Sequence, residues 1–181
     1  MDFFTADPHY YHKNVITLCN RPFANLDEMH EKLINNWNAR VTDSDTVYVL
    51  GDFCFGGHNK ALSIIRQLNG LIKFIPGSHD EWLSKSYLIE LPRISILEPL
   101  ISIEYKEYGG KEHPLVVVLC HYSLRTWDRS HYGSLHLYGH SHGNLPPLPR
   151  SMDVGVDCNN YFPVSLTEII KKLNSPGKSI L

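Results

Sequence analysis

Seven side chains of this 181-residue chain share a chemistry and a placement: Asp7, His9, Asp52, His79, His121, His140 and His142 each stand just beyond a short apolar, strand-like run. Carboxylates and neutral imidazoles are the ligand set of Zn²⁺, Mn²⁺ or Fe, not of Ca²⁺. They are too many donors for one tetrahedral site. Two metals sharing Asp52 would use them. Asp7-Pro8-His9 puts a carboxylate and an imidazole two apart on chain that proline biases toward an extended form, so both are expected on one side. Gly139-His140-Ser141-His142-Gly143 repeats the spacing with two imidazoles, a good bidentate geometry for metal. Taken singly, Asp7-Pro8 and Gly51-Asp52 read as ordinary turns. Five loops carrying ligands in this way argue for a shared purpose. A Ser78-His79-Asp80 nucleophilic triad is excluded, because adjacent side chains point apart and a triad needs each hydrogen-bonded to the next.

The elements that must position these groups are legible as periodicities. Met1–Ala6, Val47–Leu50, Leu71–Ile75 and Leu115–Cys120 are short β-rich runs that deliver Asp7, Asp52, His79 and His121 at their ends. Gly51 lets the chain turn sharply before Asp52. Leu100–Tyr108 and Pro114–Cys120 flank Gly109-Gly110 as a hairpin, and Leu135–Tyr138 leads into the His140/His142 loop. Met152–Val156 reads as a last core strand. Helices are expected over Asn25–Arg40, with Asn25 and Glu28 as a capping box, over Asn59–Leu68, and after Ser165, which caps with Glu168. Asn144–Arg150 reads as a proline-rich rim loop. There is no internal repeat or linker, so residues 1–181 are read as one domain.

Composition narrows the partners. A hydrophobic fraction of 43%, a charged fraction of 20% and a net charge of −2 describe a soluble globule with no broad attraction for a nucleic-acid polymer or an anionic membrane. Small phosphate compounds remain open, because a local metal site outweighs the global charge. Cys19, Cys54, Cys120 and Cys158 are scattered, which fits reduced thiols and a cytoplasmic setting, and no signal peptide or spanning segment is visible.

The ordered motifs Asp7-Pro8-His9, Gly51-Asp52, Gly77-Ser78-His79-Asp80, Cys120-His121 and Gly139-His140-Ser141-His142 resemble those of the calcineurin-like metallophosphoesterases, and they run through most of the chain. The resemblance implies an α/β fold, a four-layer αββα sandwich, around a dinuclear centre. One metal would take Asp7, His9, Asp52 and His142; the other would take Asp52, His121 and His140, with Asp52 bridging. Mn²⁺ is the expected ion, with Fe, Zn²⁺ or Ni²⁺ as alternatives. The activity implied is hydrolysis of a phosphodiester or small nucleotide-type phosphoester by a metal-bridged hydroxide, with His79 protonating the leaving oxygen and Asp80 orienting His79. Where such families carry an asparagine ligand in Gly-Asn-His-Asp, this chain has Ser78, a shorter and weaker donor. His12 and Arg125 are candidate substrate contacts, with Arg21, Trp127 and Arg129, and with Tyr10 and Tyr11 close in sequence.

Three other readings compete. The nearest is a phosphomonoesterase. A binding or scaffold protein that kept the fold and lost efficient chemistry is favoured by Ser78 and opposed by the other motifs. A thiol enzyme using Cys54 or Cys120 lacks a convincing base.

Overall fold

The alternation of side chains along four short strands sets the architecture of the computed structural model, which describes residues 1–83, 92–110 and 113–174. Strands β1 (Asp2–Thr5), β2 (Thr46–Leu50), β3 (Leu71–Ile75) and β4 (Ile94–Ile96) run parallel, and β9 (Val164–Ser165) pairs antiparallel to β1, giving the order β4-β3-β2-β1-β9. Both faces of this sheet are buried, as expected for parallel strands rich in Val, Ile and Phe. Phe3, Val47, Val49, Ile72 and Phe74 point to one side. There they meet Val15 of α1 (Asn14–Leu18), Met29, Leu33 and Trp37 of α2 (Leu26–Asn38), and Ala61, Ile64 and Ile65 of α3 (Gly57–Ile65). Phe4, Tyr48, Leu50 and Ile75 point to the other side, against a second sheet.

That second sheet has the order β5-β6-β7-β8, built from β5 (Leu100–Gly110), β6 (His113–Cys120), β7 (Leu135–Tyr138) and β8 (Ser151–Asp153). The β5–β6 pair is the expected antiparallel hairpin, whereas β6, β7 and β8 are parallel. Tyr105, Val117, Leu119, Leu135 and Leu137 fill the space between the sheets, and Leu166 and Ile169 of α4 (Leu166–Asn174) join the same core. The outer face of the second sheet is covered by the chain between β6 and β7. Leu124 donates its amide to His136 Nε2 at 3.0 Å, and the Trp127 ring lies 5.2 Å from the His136 ring. The architecture is α/β with two mixed sheets.

Several expected elements shift at their ends. The capping residues hold as read: Asn25 accepts from the Glu28 amide at 3.0 Å, and Ser165 and Glu168 cap α4 reciprocally. The helix expected over Asn59–Leu68 starts at Gly57 and stops at Ile65, and the strand expected over Met152–Val156 is only Ser151–Asp153. Helix α1 and strands β4 and β9 were not anticipated; all are too short for periodicity to register. All four cysteines are free, with Cys54 and Cys120 buried and Cys158 exposed. Among the described residues no helix is long and apolar enough to cross a membrane.

Leu119 is fully buried between the sheets. Leu119→Ala is expected to cost roughly 2–5 kcal/mol by leaving a cavity there. Urea unfolding should show a lower midpoint with an unchanged slope; an unchanged midpoint would contradict this packing.

Candidate metal centre

The pairing of β1 with β2 does not stop where the strands do. Asp7 N–H donates to the Gly51 carbonyl at 3.1 Å, His9 N–H to Asp52 at 3.2 Å, and Tyr10 N–H to Phe53 at 2.9 Å. This zipper keeps the Asp7-Pro8-His9 and Gly51-Asp52 loops side by side. It does so with a backbone quite unlike the extended one expected. Asp7 (φ 55°), His9 (φ 53°), Asp52 (φ 54°), His140 (φ 66°) and His142 (φ 48°) are all left-handed. Such conformations are uncommon for residues other than glycine and cost of order 1 kcal/mol or more each. They persist where surrounding bonds over-determine them.

The left-handed turns decide which side chains meet. Asp7, His9 and His142 form one group whose ligand atoms lie within 4.8 Å of one another, and Asp52, His121 and His140 form a second with the same spread. His140 and His142, read from their spacing as a bidentate pair, therefore separate into different groups. Asp52 lies between the two: its carboxylate is 4.0 Å from His9 Nε2 and 3.5 Å from His121 Nε2. Two glycines allow this approach. A Cβ on Gly51, itself at φ +85°, would stand 2.4 Å from His121 Nδ1, and one on Gly139 would stand 2.7 Å from Asp7 Oδ2.

The fit to cations rests on unpaired atoms. Among the described residues, Asp7 Oδ1, both ring nitrogens of His9 and His121 Nε2 are buried without a hydrogen-bond partner. Burying such groups unpaired is costly, and cations in the two groups would satisfy Asp7 Oδ1, one nitrogen of His9 and His121 Nε2. The tautomers suit this role. His121 Nδ1 pairs with the Leu50 carbonyl at 2.8 Å and His142 Nδ1 with Asp157 Oδ2 at 2.7 Å, so in each ring Nε2 is left as the free donor.

Burial and charge pull the ionisable groups in opposite directions. Burial pushes the Asp7 carboxyl up to about 7, against the attraction of His121 and His142, and pushes the His9 imidazole down to about 3. Asp52 is also pushed up by burial, but the close approach of His121, the His79 amide and His9 outweigh this and hold it below the ordinary carboxylate range. His121 is lowered by burial and raised more by Asp52, by the Leu50 carbonyl and by Asp7, so its net shift is upward. The His121 ring and the Asp52 carboxylate thus favour each other's charged forms.

Behind the ligands stands an ion pair that the sequence reading missed. Asp157 accepts from Arg21 Nε and Nη2, both at 2.8 Å, while also holding His142. Arg21 itself donates to the Asp7 carbonyl at 2.7 Å and the Pro8 carbonyl at 2.9 Å. Its side chain is fully buried, so it braces the loop and is closed to substrate, contrary to its reading as a contact. A carboxylate behind a ligating imidazole fixes its tautomer and orientation. Nothing in the spacing of Asp157 distinguishes it from other acids. Asp153 pins the His140/His142 loop similarly, accepting from Ser141 Oγ at 2.6 Å and Gly143 N–H at 3.0 Å.

The other expected residues fall unevenly. Asp80 does not orient His79; its oxygens accept the backbone N–H groups of Asp52 (2.7 Å), Phe53 (2.9 Å) and Gly77 (2.9 Å) and the Trp82 indole (3.1 Å). His79 is exposed at the rim, with its amide on Asp52 Oδ1 at 2.9 Å. Ser78 Oγ does reach the centre, donating to Asp52 at 3.1 and 3.3 Å. His12 is close, its ring 5.4 Å from that of His9. Arg125 is exposed in the chain after His121. Arg129 pairs with Glu104, at the level of Val116 and away from the His121 end of β6. Trp127 covers the second sheet, and Tyr10 is core.

No family model matches the chain. It is 34% identical over 187 residues to the uncharacterized protein MJ1445 of Methanocaldococcus jannaschii, covering 98% of this chain and 93% of that one. The gene 66 protein of Mycobacterium phage L5 is 25% identical over 197 residues, with 94% and 93% covered. Among solved structures, the protein of unknown function AQ665 from Aquifex aeolicus matches with a TM-score of 0.71 and 25% identity, covering 95% of this chain and 98% of that one.

Two outcomes test the centre. Because burial raises the Asp7 carboxyl to about 7 and His121 holds its proton more tightly than a free imidazole, Mn²⁺ affinity is expected to fall as pH drops below about 7, with protons released on binding. Calorimetric titration in buffers of different ionisation heat measures both; an affinity independent of pH would rule out the imidazole ligands. Asp157→Asn, which weakens the support of His142, is expected to loosen metal by about 10- to 100-fold in a chelator competition.

Proposed function

The chain belongs to the family of the Methanocaldococcus jannaschii protein MJ1445, and we propose that this member is a metal-dependent phosphoesterase of the calcineurin-like metallophosphoesterase type. Its substrates would be phosphodiesters or small nucleotide-type phosphoesters. The observation carrying this reading is the pair of ligand groups flanking Asp52, with buried unpaired nitrogens and a carboxylate oxygen facing one another. The helix-covered first sheet packed on a second sheet supports three layers of that sandwich; among the described residues, the fourth side carries the chain between β6 and β7 in place of an α-helix.

Asp7, His9 and His142 would hold one ion and His121 and His140 the other, with Asp52 shared. Mn²⁺ is the first choice, and Fe, Zn²⁺ or Ni²⁺ suit the same donors. Two such ions supply Lewis acidity toward phosphoryl oxygens and lower the pKa of bound water. The protein's own contribution is charge and position. Four cationic charges against the two carboxylates Asp7 and Asp52 leave a surplus of about two, suited to a phosphoryl group. Asp52 is held by Ser78 Oγ, the His79 amide and its zippered backbone, so it need not move when substrate binds. His79, exposed beside the centre and without a hydrogen bond on its ring among the described residues, is free to donate a proton to the leaving oxygen.

Ser78 favours a second reading. It stands where the family carries an asparagine ligand and spends its hydroxyl on Asp52, which suits a weakened scaffold member.

With Mn²⁺ supplied, the protein is expected to hydrolyse bis(p-nitrophenyl) phosphate faster than p-nitrophenyl phosphate. Faster monoester turnover would make it a phosphomonoesterase. Absence of both activities, persisting in Ser78→Asn, would leave the scaffold reading.

A further inference from the structure

The loop between β2 and α3 carries an aromatic side chain that the proposed chemistry has not used. Phe55 is 36% exposed at the mouth of the metal centre, yet its backbone is held firmly. Its N–H donates to the Tyr10 carbonyl at 2.9 Å, and the next amide, Gly56, donates to Cys54 Sγ at 3.3 Å. The ring lies among three imidazoles. It stacks on His12 with centroids 4.1 Å apart and planes 9° from parallel, meets His79 at 4.5 Å, and meets His9 at 5.1 Å.

These neighbours are not equally in need of support. His9 is fixed by its zippered, buried backbone. His79 is exposed, and Asp80, its adjacent acid, is committed to three backbone amides and the Trp82 indole. Among the described residues, the ring contacts of His79 are Phe55 at 4.5 Å and His9 at 6.4 Å. An aromatic face also holds an imidazole without occupying either nitrogen, whereas a carboxylate would tie one up.

We infer that Phe55 is the positioning residue for His79: anchored by the Tyr10 carbonyl and backed by the stacked His12 ring, it keeps the His79 imidazole turned toward the metal centre with both nitrogens free. A contact of this kind biases the side-chain conformation by roughly 2- to 10-fold. Misplacing the proton donor then costs more than that in rate, because proton transfer needs hydrogen-bond distance to the leaving oxygen. The kinetic consequence rests on the phosphoesterase reading; the structural assignment does not.

Histidine-selective ¹³C labelling of the metal-free protein reads the contact. The His79 ring signals, displaced by the Phe55 ring current, are expected to move toward free-histidine positions in Phe55→Leu and to stay displaced in Phe55→Trp. With Mn²⁺ bound, Phe55→Leu is expected to slow aryl phosphodiester hydrolysis by a factor that grows with leaving-group pKa, reaching roughly 10- to 100-fold for the poorest leaving group. Adding Phe55→Leu to His79→Ala should slow the latter no further. Unmoved His79 signals, an equal loss across all esters, or loss of bound Mn²⁺ from Phe55→Leu would overturn the assignment. If the wild type hydrolyses none of the esters, the phosphoesterase reading fails and the His79 signals alone decide whether Phe55 holds that ring.

Discussion

Two carboxylates and two imidazoles lie buried side by side, and the rest of the molecule answers to that constraint. Asp7 is fully buried and Asp52 nearly so, with His9 and His121 beside them. Burial drives Asp7 toward neutrality, while the Asp52 and Asp7 carboxylates and the Leu50 carbonyl outweigh burial and raise His121. Among the described residues, ring nitrogens and a carboxylate oxygen are left without partners. Cations in the two groups would satisfy Asp7 Oδ1, one nitrogen of His9 and His121 Nε2.

Holding such a cluster requires a frame that does not relax. The frame has two parts. The first is the continuation of the β1–β2 ladder into left-handed loops, where the amides of Asp7, His9 and Tyr10 cross to Gly51, Asp52 and Phe53. The second is the buried Arg21–Asp157 pair, which ties the Asp7 loop to His142. A guanidinium cannot lose its proton, so this brace keeps its charge whatever the centre holds. A forked pair also fixes direction, where a lysine would supply only a point of charge.

The strands that lead to Asp7, Asp52, His79 and His121 were legible because short apolar, β-rich runs that stop at polar or turn-forming residues are a local signal. The capped helices were legible for the same reason, through Asn25 with Glu28 and Ser165 with Glu168. The ligand groups themselves could be named, but their division could not be derived from spacing. Extended chain was the natural expectation for Asp7-Pro8-His9 and His140-Ser141-His142, and it was overridden by hydrogen bonds between loops far apart in sequence. Asp157 lay hidden because its meaning is a contact with residues 15 and 136 positions away. Phe55 carried no signal in the sequence reading and sits at the rim.

Asp80 illustrates a different kind of dependence. One carboxylate gathers the amides following β2 and β3, so it is a keystone between two loops and takes no part in proton traffic. Alanine scanning that measured turnover alone would rank it with the reacting groups. Its loss would splay the loops carrying Asp52 and Ser78, and the resulting inactivity would be architectural in origin.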